Sequence, residues 1–397
     1  MVCWCVGVVV RRVADCEKVW LTLEMKRVPY VIEKVNMNCY GEKPGWFWDM
    51  QPSGGIPVAK LDGAVIRESN DIIMAVERAF PETPLLPAED DPAYERVRPL
   101  LSLERELFSA WFRWLTSPMS DGAQRMNMES LFGRVEKELA ASGGPFFLGA
   151  EPSLVDVFFA PFLERMAASL PYYKGFEVRR NAAWPCLDAW FAAMEARPSY
   201  RHIQSDYYTH VHDLPPQIGR CHSTPEAERF AAAIDGTDGT AWSLPLAESD
   251  ADADAPLQPL DGLGQDGAAA RREAAERLLA NHADVTKFAA RGLAPPGFPG
   301  VSAPLSDPNA ENGVDDGALP LVATLLRHTT HSLLEGHDAA AAQLSPGIDP
   351  RAAAASLGYL RDRVSVPRDM SYPAARQLRA HLNGMIEACG AAAAASD

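Results

Sequence analysis

The residue pattern predicts an α/β domain, then an all-helical domain, then a mostly helical extension. Three observations predict it. Up to about residue 84, short β-branched runs alternate with helix-spaced ones. Between Tyr94 and about His202 the apolar spacing is helical throughout. After about residue 210 an Asp-, Gly-, Ala- and Pro-rich stretch, 234–266, precedes further helical segments. The chain is therefore read as domains 1–84, 92–210 and 211–397, with 234–266 a flexible acidic linker.

Each element has a local reason. Val6 to Val10 is short and β-branched, a buried strand. Glu17 to Lys26 carries Val19, Trp20, Leu23 and Met25 at helical spacing. Tyr30 to Val35 alternates and suits a strand. Val58–Leu61 and Ala64–Ile66, joined by Asp62-Gly63, read as a tight β-hairpin. Ser69 opens a helix through Ile72, Ile73, Val76 and Ala79, and Pro81 ends it. The order β-α-β, then β-β-α, is that of a thioredoxin-like domain. Pro81 to Pro92 is a linker rich in proline and acid. In the helical part, Leu107, Phe108, Trp111, Phe112, Trp114 and Leu115 form a broad apolar face. Ser153-Leu154-Val155-Asp156 reads as a capping box that starts a buried helix. In the extension, helices are expected over Arg271–Arg291 with Gly292 as C-cap, Pro320–Glu335, Pro350–Arg363 and Tyr372–Cys389.

Composition excludes several functions. A net charge of −16 argues against a general binder of nucleic acid or anionic membrane, which needs a positive field. No apolar run reaches the roughly 20 residues of a spanning helix. Seven cysteines without regular spacing suit reduced thiols in an intracellular compartment, and Cys3-Trp4-Cys5 lacks a second pair for zinc. His210-Val211-His212-Asp213 and the pair His328/His331 lack the further ligands of a metal site, so no metal is expected.

One ordered set of residues carries chemistry. Gln51-Pro52-Ser53-Gly54-Gly55-Ile56-Pro57-Val58 precedes Glu68-Ser69-Asn70. In a thioredoxin-like domain the proline opening the third strand is held cis, and the backbone of the preceding residue points at a ligand. Ile56 N–H and C=O then suit the cysteinyl backbone of glutathione, paired as a short added strand. Ser69 and the amides opening its helix suit the γ-glutamyl carboxylate, and Glu68 faces the ligand's amino group. Expected glutathione contacts are thus Ile56, Pro57, Glu68 and Ser69.

These residues, with Cys16-Glu17-Lys18-Val19-Trp20-Leu21, Val28-Pro29-Tyr30, Lys43-Pro44 and Trp46-Phe47, resemble the soluble glutathione S-transferases. Within that family the likeness is to the cysteine-type branch (omega, lambda and dehydroascorbate-reductase-like). Gly144-Pro145-Phe146-Phe147-Leu148-Gly149 and Ser153-Leu154-Val155-Asp156 look like its second domain. The tail, with Tyr207-Tyr208-Thr209-His210 and Val366-Pro367-Arg368-Asp369-Met370-Ser371, looks like long plant and algal members. The resemblance implies a thioredoxin-like domain plus an all-α glutathione-transferase domain, glutathione as cosubstrate, and thiol transfer or reduction of the dehydroascorbate-reductase or deglutathionylating kind.

The nucleophile departs from that pattern. The branch places a cysteine three residues before Cys16, where the helix start lowers a thiol pKa. This chain has Val13 there. Cys16 is the cysteine left in place for redox chemistry, and a core-thiol role is equally open to it. Val13 reflects either true loss of the first cysteine or an incorrect start that replaces a genuine segment over Met1–Asp15. Enzymatic activity is thus conditional. Gly55 is a second departure, since many relatives carry Lys or Gln there, and Lys60 or Lys43 is the candidate substitute. The alternative function is a non-catalytic binder of glutathione or a hydrophobic ligand whose extension recruits a protein partner. A small electrophilic or oxidised cosubstrate is expected, with a homodimer left open. The expected location is cytoplasmic, or chloroplast if a leading segment is missing.

Overall fold

The computed structural model describes residues 5–7, 14–35, 42–119, 121–247, 257–259, 267–295, 305, 316–344 and 348–394. Val13, Cys3-Trp4, Cys39 and Asp250–Asp254 lie outside the described residues. The chain divides into two compact units, Met1–Glu228 and Arg229–Asp397.

The first unit opens with the expected thioredoxin-like order. Its elements are β1 (Cys5–Gly7), α1 (Ala14–Met25), β2 (Val31–Glu33), α2 (Gly45–Met50), β3 (Ala59–Leu61), β4 (Ala64–Ile66) and α3 (Ser69–Ala79). The strands lie in the order β2-β1-β3-β4, with β1 parallel to β2 and the other pairings antiparallel. The hairpin turn is made by Asp62 and Gly63, both at positive φ (46° and 87°), as a two-residue primed turn requires. The spacing does not predict α2. It forms because Phe47 is fully buried against Val35 and Val58, a contact between residues distant in sequence.

The proline-rich linker is fixed in place. Buried Lys26, next after α1, donates to Glu77 Oε2 on α3 (2.7 Å) and to the carbonyl of Thr83 (2.6 Å). The other oxygen of Glu77 accepts from the amides of Leu85 and Leu86. Leu85 in turn accepts from the amide of Leu154, which opens the main buried helix.

That helix, α6 (Leu154–Lys174), packs on α1, α4 (Tyr94–Thr116) and α9 (Tyr207–Ile218), and α5 (Asp121–Ala140), α7 (Pro185–Glu195) and α8 (Pro198–Arg201) complete the helical part. Trp111, Trp114, Phe132, Phe147, Phe159 and Trp190 are fully buried among them. Asp156 plays the structural part expected of it. Its carboxylate accepts from Ser153 N and Oγ (2.8 Å each), Phe147 N (3.1 Å) and Trp190 Nε1 (2.9 Å), so it ties the helix start to a loop and to α7. The helix α9 was not read from the sequence, because Pro215-Pro216 falls inside it. Asp206 caps it by accepting from Thr209 N.

The second unit is helical: α10 (Glu228–Ile234), α11 (Gly267–Ala280), α12 (His282–Ala290), α13 (Leu319–Glu335), α14 (His337–Ala341), α15 (Pro350–Arg361) and α16 (Tyr372–Ala394). Asp349 caps α15 through Arg351 N, with Pro350 in the first turn. The single helix expected over Arg271–Arg291 is instead two, broken at Asn281. Gly292 is not a left-handed cap. It lies in a 3-10 turn where an added Cβ would come within 2.3 Å of the Ala355 carbonyl, so close packing on α15 selects glycine there. Residues 235–247, read as part of the flexible stretch, are tied to α16. Arg376 donates to Ala247 O, Asn383 to Trp242 O, and Arg379 lies 4.9 Å over the Trp242 ring.

Candidate functional site

The site begins at the β3–β4 hairpin. The Ile56–Pro57 bond is cis, as the sequence reading expects. Ala59 pairs with Ile66. Pro57 and Val58 lead into β3, and Arg67 and Glu68 follow its hairpin partner β4. Ser69 is the first residue of α3 and Glu68 precedes it. The first internal bond of α3 runs from Ile72 N to Glu68 O. The amides of Ser69, Asn70 and Asp71 therefore have no acceptor within the helix and point out of its positive end. Pro57 is buried, Ile56 and Ser69 are partly buried, and Glu68 is exposed.

The loop Gln51–Gly55 forms the next edge. Trp46 and Trp48 on α2 are each 42% exposed. A Cβ on Gly54 would meet the Trp48 ring at 2.8 Å, so the ring lies directly against the loop backbone. Gly54 also has φ +71°, a second reason for glycine. Arg67 Nε donates to the carbonyl of Met50, the last residue of α2, at 2.8 Å. The sequence reading missed Trp48 and Arg67. The signal for Arg67 was available in the hairpin register, because it follows Val65 by two and shares its face.

Cys16 lies on α1. It is the third residue of α1 as described and is 2% exposed. Its neighbours anchor the helix to the second half of the unit. Glu17 meets Arg165 of α6 at 2.9 Å, both buried, and Arg165 also donates to Pro161 O. Lys18 lies 3.5 Å from Glu104 on α4 and 4.8 and 4.5 Å over the rings of Phe158 and Phe162. Burial pushes the Lys18 ammonium below its ordinary pKa, against the opposing pull of Glu104 and Asp15. No local pattern reveals Glu104 or Arg165 as partners, which lie 86 and 148 residues along the chain from Lys18 and Glu17.

Other candidates have structural roles. His210, read as part of a loop with surface contacts, is buried on α9 and its Nε2 lies 2.9 Å from Glu164. His212 packs on Tyr172 and Tyr208. Tyr173 donates to Val211 O, so these tyrosines join α6 to α9 within the first unit. Burial and the neighbouring His331 and Arg327 hold His328 below its ordinary pKa. Among the described residues no three metal-binding side chains converge, and no helix is long and apolar enough to cross a membrane.

Comparison with known proteins agrees with this fold. Residues 15–79 match the family model described as glutathione S-transferase, N-terminal domain. Residues 91–193 match that of the glutathione S-transferase C-terminal domain. Glutathione S-transferase DHAR2 of Arabidopsis thaliana is 32% identical, over 41% of this chain and 73% of the relative. Glutathione S-transferase DHAR3, chloroplastic, of the same plant is 29% identical over 48% and 68%. Probable glutathione S-transferase DHAR1, cytosolic, of Oryza sativa subsp. japonica is 31% identical over 47% and 82%.

Proposed function

This chain belongs to the glutathione S-transferase family, and on that premise we propose that it carries out glutathione-dependent thiol transfer or reduction. What supports the reading is that Ile56-Pro57 leads into β3 while Glu68-Ser69 follows β4, the antiparallel partner of β3, and opens α3. There Ile56 supplies backbone pairing to the cysteinyl unit of glutathione. The start of α3 with Ser69 takes the γ-glutamyl carboxylate, and Glu68 takes the ammonium.

Cys16 is the thiol proposed for the chemistry. Its thiolate attacks the sulfur of a glutathionylated thiol, forming a Cys16–glutathione disulfide and releasing the substrate thiolate. A glutathione thiolate then attacks that disulfide, which yields oxidised glutathione and restores Cys16. Burial makes exposure of the sulfur a necessary earlier step. Reduction of a small oxidised substrate at the expense of two glutathiones uses the same thiol. No metal takes part in either scheme. A small electrophilic or oxidised molecule is the second substrate, and assembly as a homodimer is compatible with it.

The test is retention on immobilised glutathione combined with a thiol-transfer assay of the native chain and Cys16→Ser. Retention by both, with activity only in the native chain, is expected. Retention without activity in the native chain would point to the non-catalytic binder. Absence of retention would refute the glutathione site itself.

A further inference from the structure

We infer that Ser332, His337 and His381 form an acid-sensitive latch that holds α14 and the 235–247 segment against α16. The latch lies wholly within the second unit. Ser332 comes from α13, His337 from α14 and His381 from α16. Ser332 Oγ is 2.7 Å from His381 Nδ1 and 3.4 Å from His337 Nδ1. Ser332 and His381 are buried, and His337 is half-buried. The His337 ring also lies against Gly384, where an added Cβ would come within 2.8 Å of its Cε1. The same Cβ would meet Leu244 Cδ1 at 3.2 Å, so the ring and Leu244 share one notch in α16. Gly336, exposed and at φ 104°, precedes α14 and supplies its hinge.

One hydroxyl serves two rings only while a proton rule is kept. Ser332 carries one hydrogen, so it donates to one Nδ1 and accepts from the other. That arrangement survives the protonation of one ring. When both rings are protonated, both Nδ1 atoms are donors and neither accepts from the hydroxyl. An unsatisfied buried donor and two adjacent cations then oppose closure. Among the described residues, the charged or titratable groups acting on His381 are Arg271 of α11 and His337 of α14. His331 of α13 acts on His328 instead. Burial first, then these two cationic groups, lower His381 from 6.5 to about 4. The closed latch thus excludes a proton that the open one takes up. It is fully stable above pH 6.5 and weakens as pH falls toward about 4. Acid frees α14 and the 235–247 segment while the other helices of the unit keep their packing.

The experiment is hydrogen exchange of the full chain from pH 7 to about 4.5, corrected for the intrinsic pH dependence of exchange. Peptides spanning 336–344 and 235–247 are expected to lose protection about tenfold per pH unit below 6.5, the slope for one proton. Peptides from α11 and α15 are expected to keep theirs. His381→Gln keeps a polar side chain that does not titrate, and it should make both responsive peptides insensitive to pH. Ser332→Ala is expected to lower their protection about fivefold at pH 7, the scale of one hydrogen bond. Protection that is constant with pH, or equal loss in every helix of the unit, overturns the latch. An unchanged slope in His381→Gln, or unchanged protection in Ser332→Ala, does the same. The comparison between peptides of the native chain needs no variant, so a variant that fails to fold does not shelter the idea.

Discussion

Replacing Glu17 with Gln tests whether the buried link between α1 and α6 seats the helix that carries Cys16. The Glu17 and Arg165 side chains are 0% and 5% exposed, with 2.9 Å between their charged atoms. At an effective dielectric of 20, that separation corresponds to an attraction of about 6 kcal/mol. Desolvating both ions offsets much of it, so the intact pair adds little net stability. Removing one partner is different, because Arg165 is left charged and buried; the cost is about 3–5 kcal/mol. A domain is typically stable by roughly 5–15 kcal/mol, so this is a large fraction. Glu17→Leu with Arg165→Met together should cost clearly less than the sum of the two single changes. Urea titration followed by circular dichroism gives the stabilities. Hydrogen exchange of peptides from α1 and α6 locates the loss. A cost under about 1 kcal/mol for Glu17→Gln, or additive single costs, would refute the reasoning.

Two further outcomes are expected. Burial, then Arg271 and His337, lowers His381 from 6.5 to about 4, and its Nδ1 lies 2.7 Å from Ser332 Oγ. The unfolded chain takes up that proton near pH 6.5 and the folded unit only near pH 4. Stability is therefore full above 6.5 and declines between 6.5 and 4, by about 1.4 kcal/mol per pH unit and about 3 kcal/mol in all. In His381→Gln the slope of denaturation midpoint against pH should flatten over that window, and an unchanged slope would refute it. Val13→Cys places a thiol where the family resemblance puts the nucleophile. It is expected to raise thiol-transfer rate at least about tenfold over the native chain, and no gain would refute that role for position 13.

Elements set by adjacent residues were legible in advance. Asp62-Gly63 dictates a primed turn through its left-handed conformations, and Ser69 with Pro81 bounds α3 to within two residues. Ser153 and Asp156 close a capping box three residues apart. The order of the motif proposed for glutathione was readable for the same reason, since its pieces are short and contiguous. Legibility failed where a partner lies far along the chain. The environment of buried His210 includes Glu164, 46 residues earlier. The need for glycine at 292 depends on α15, more than 60 residues later.

By itself the sequence determined the family, the thioredoxin-like order of elements and the residues around Ile56-Pro57 and Glu68-Ser69. Those are fixed by backbone geometry and capping, which act over a few residues. Only the tertiary structure decided that Cys16 is buried beside the Glu17–Arg165 pair, that Lys18 is enclosed by Phe158 and Phe162, and that Arg67 is pinned to the end of α2. Each of these depends on desolvation and on charges brought together by folding, and neither quantity exists until distant segments meet.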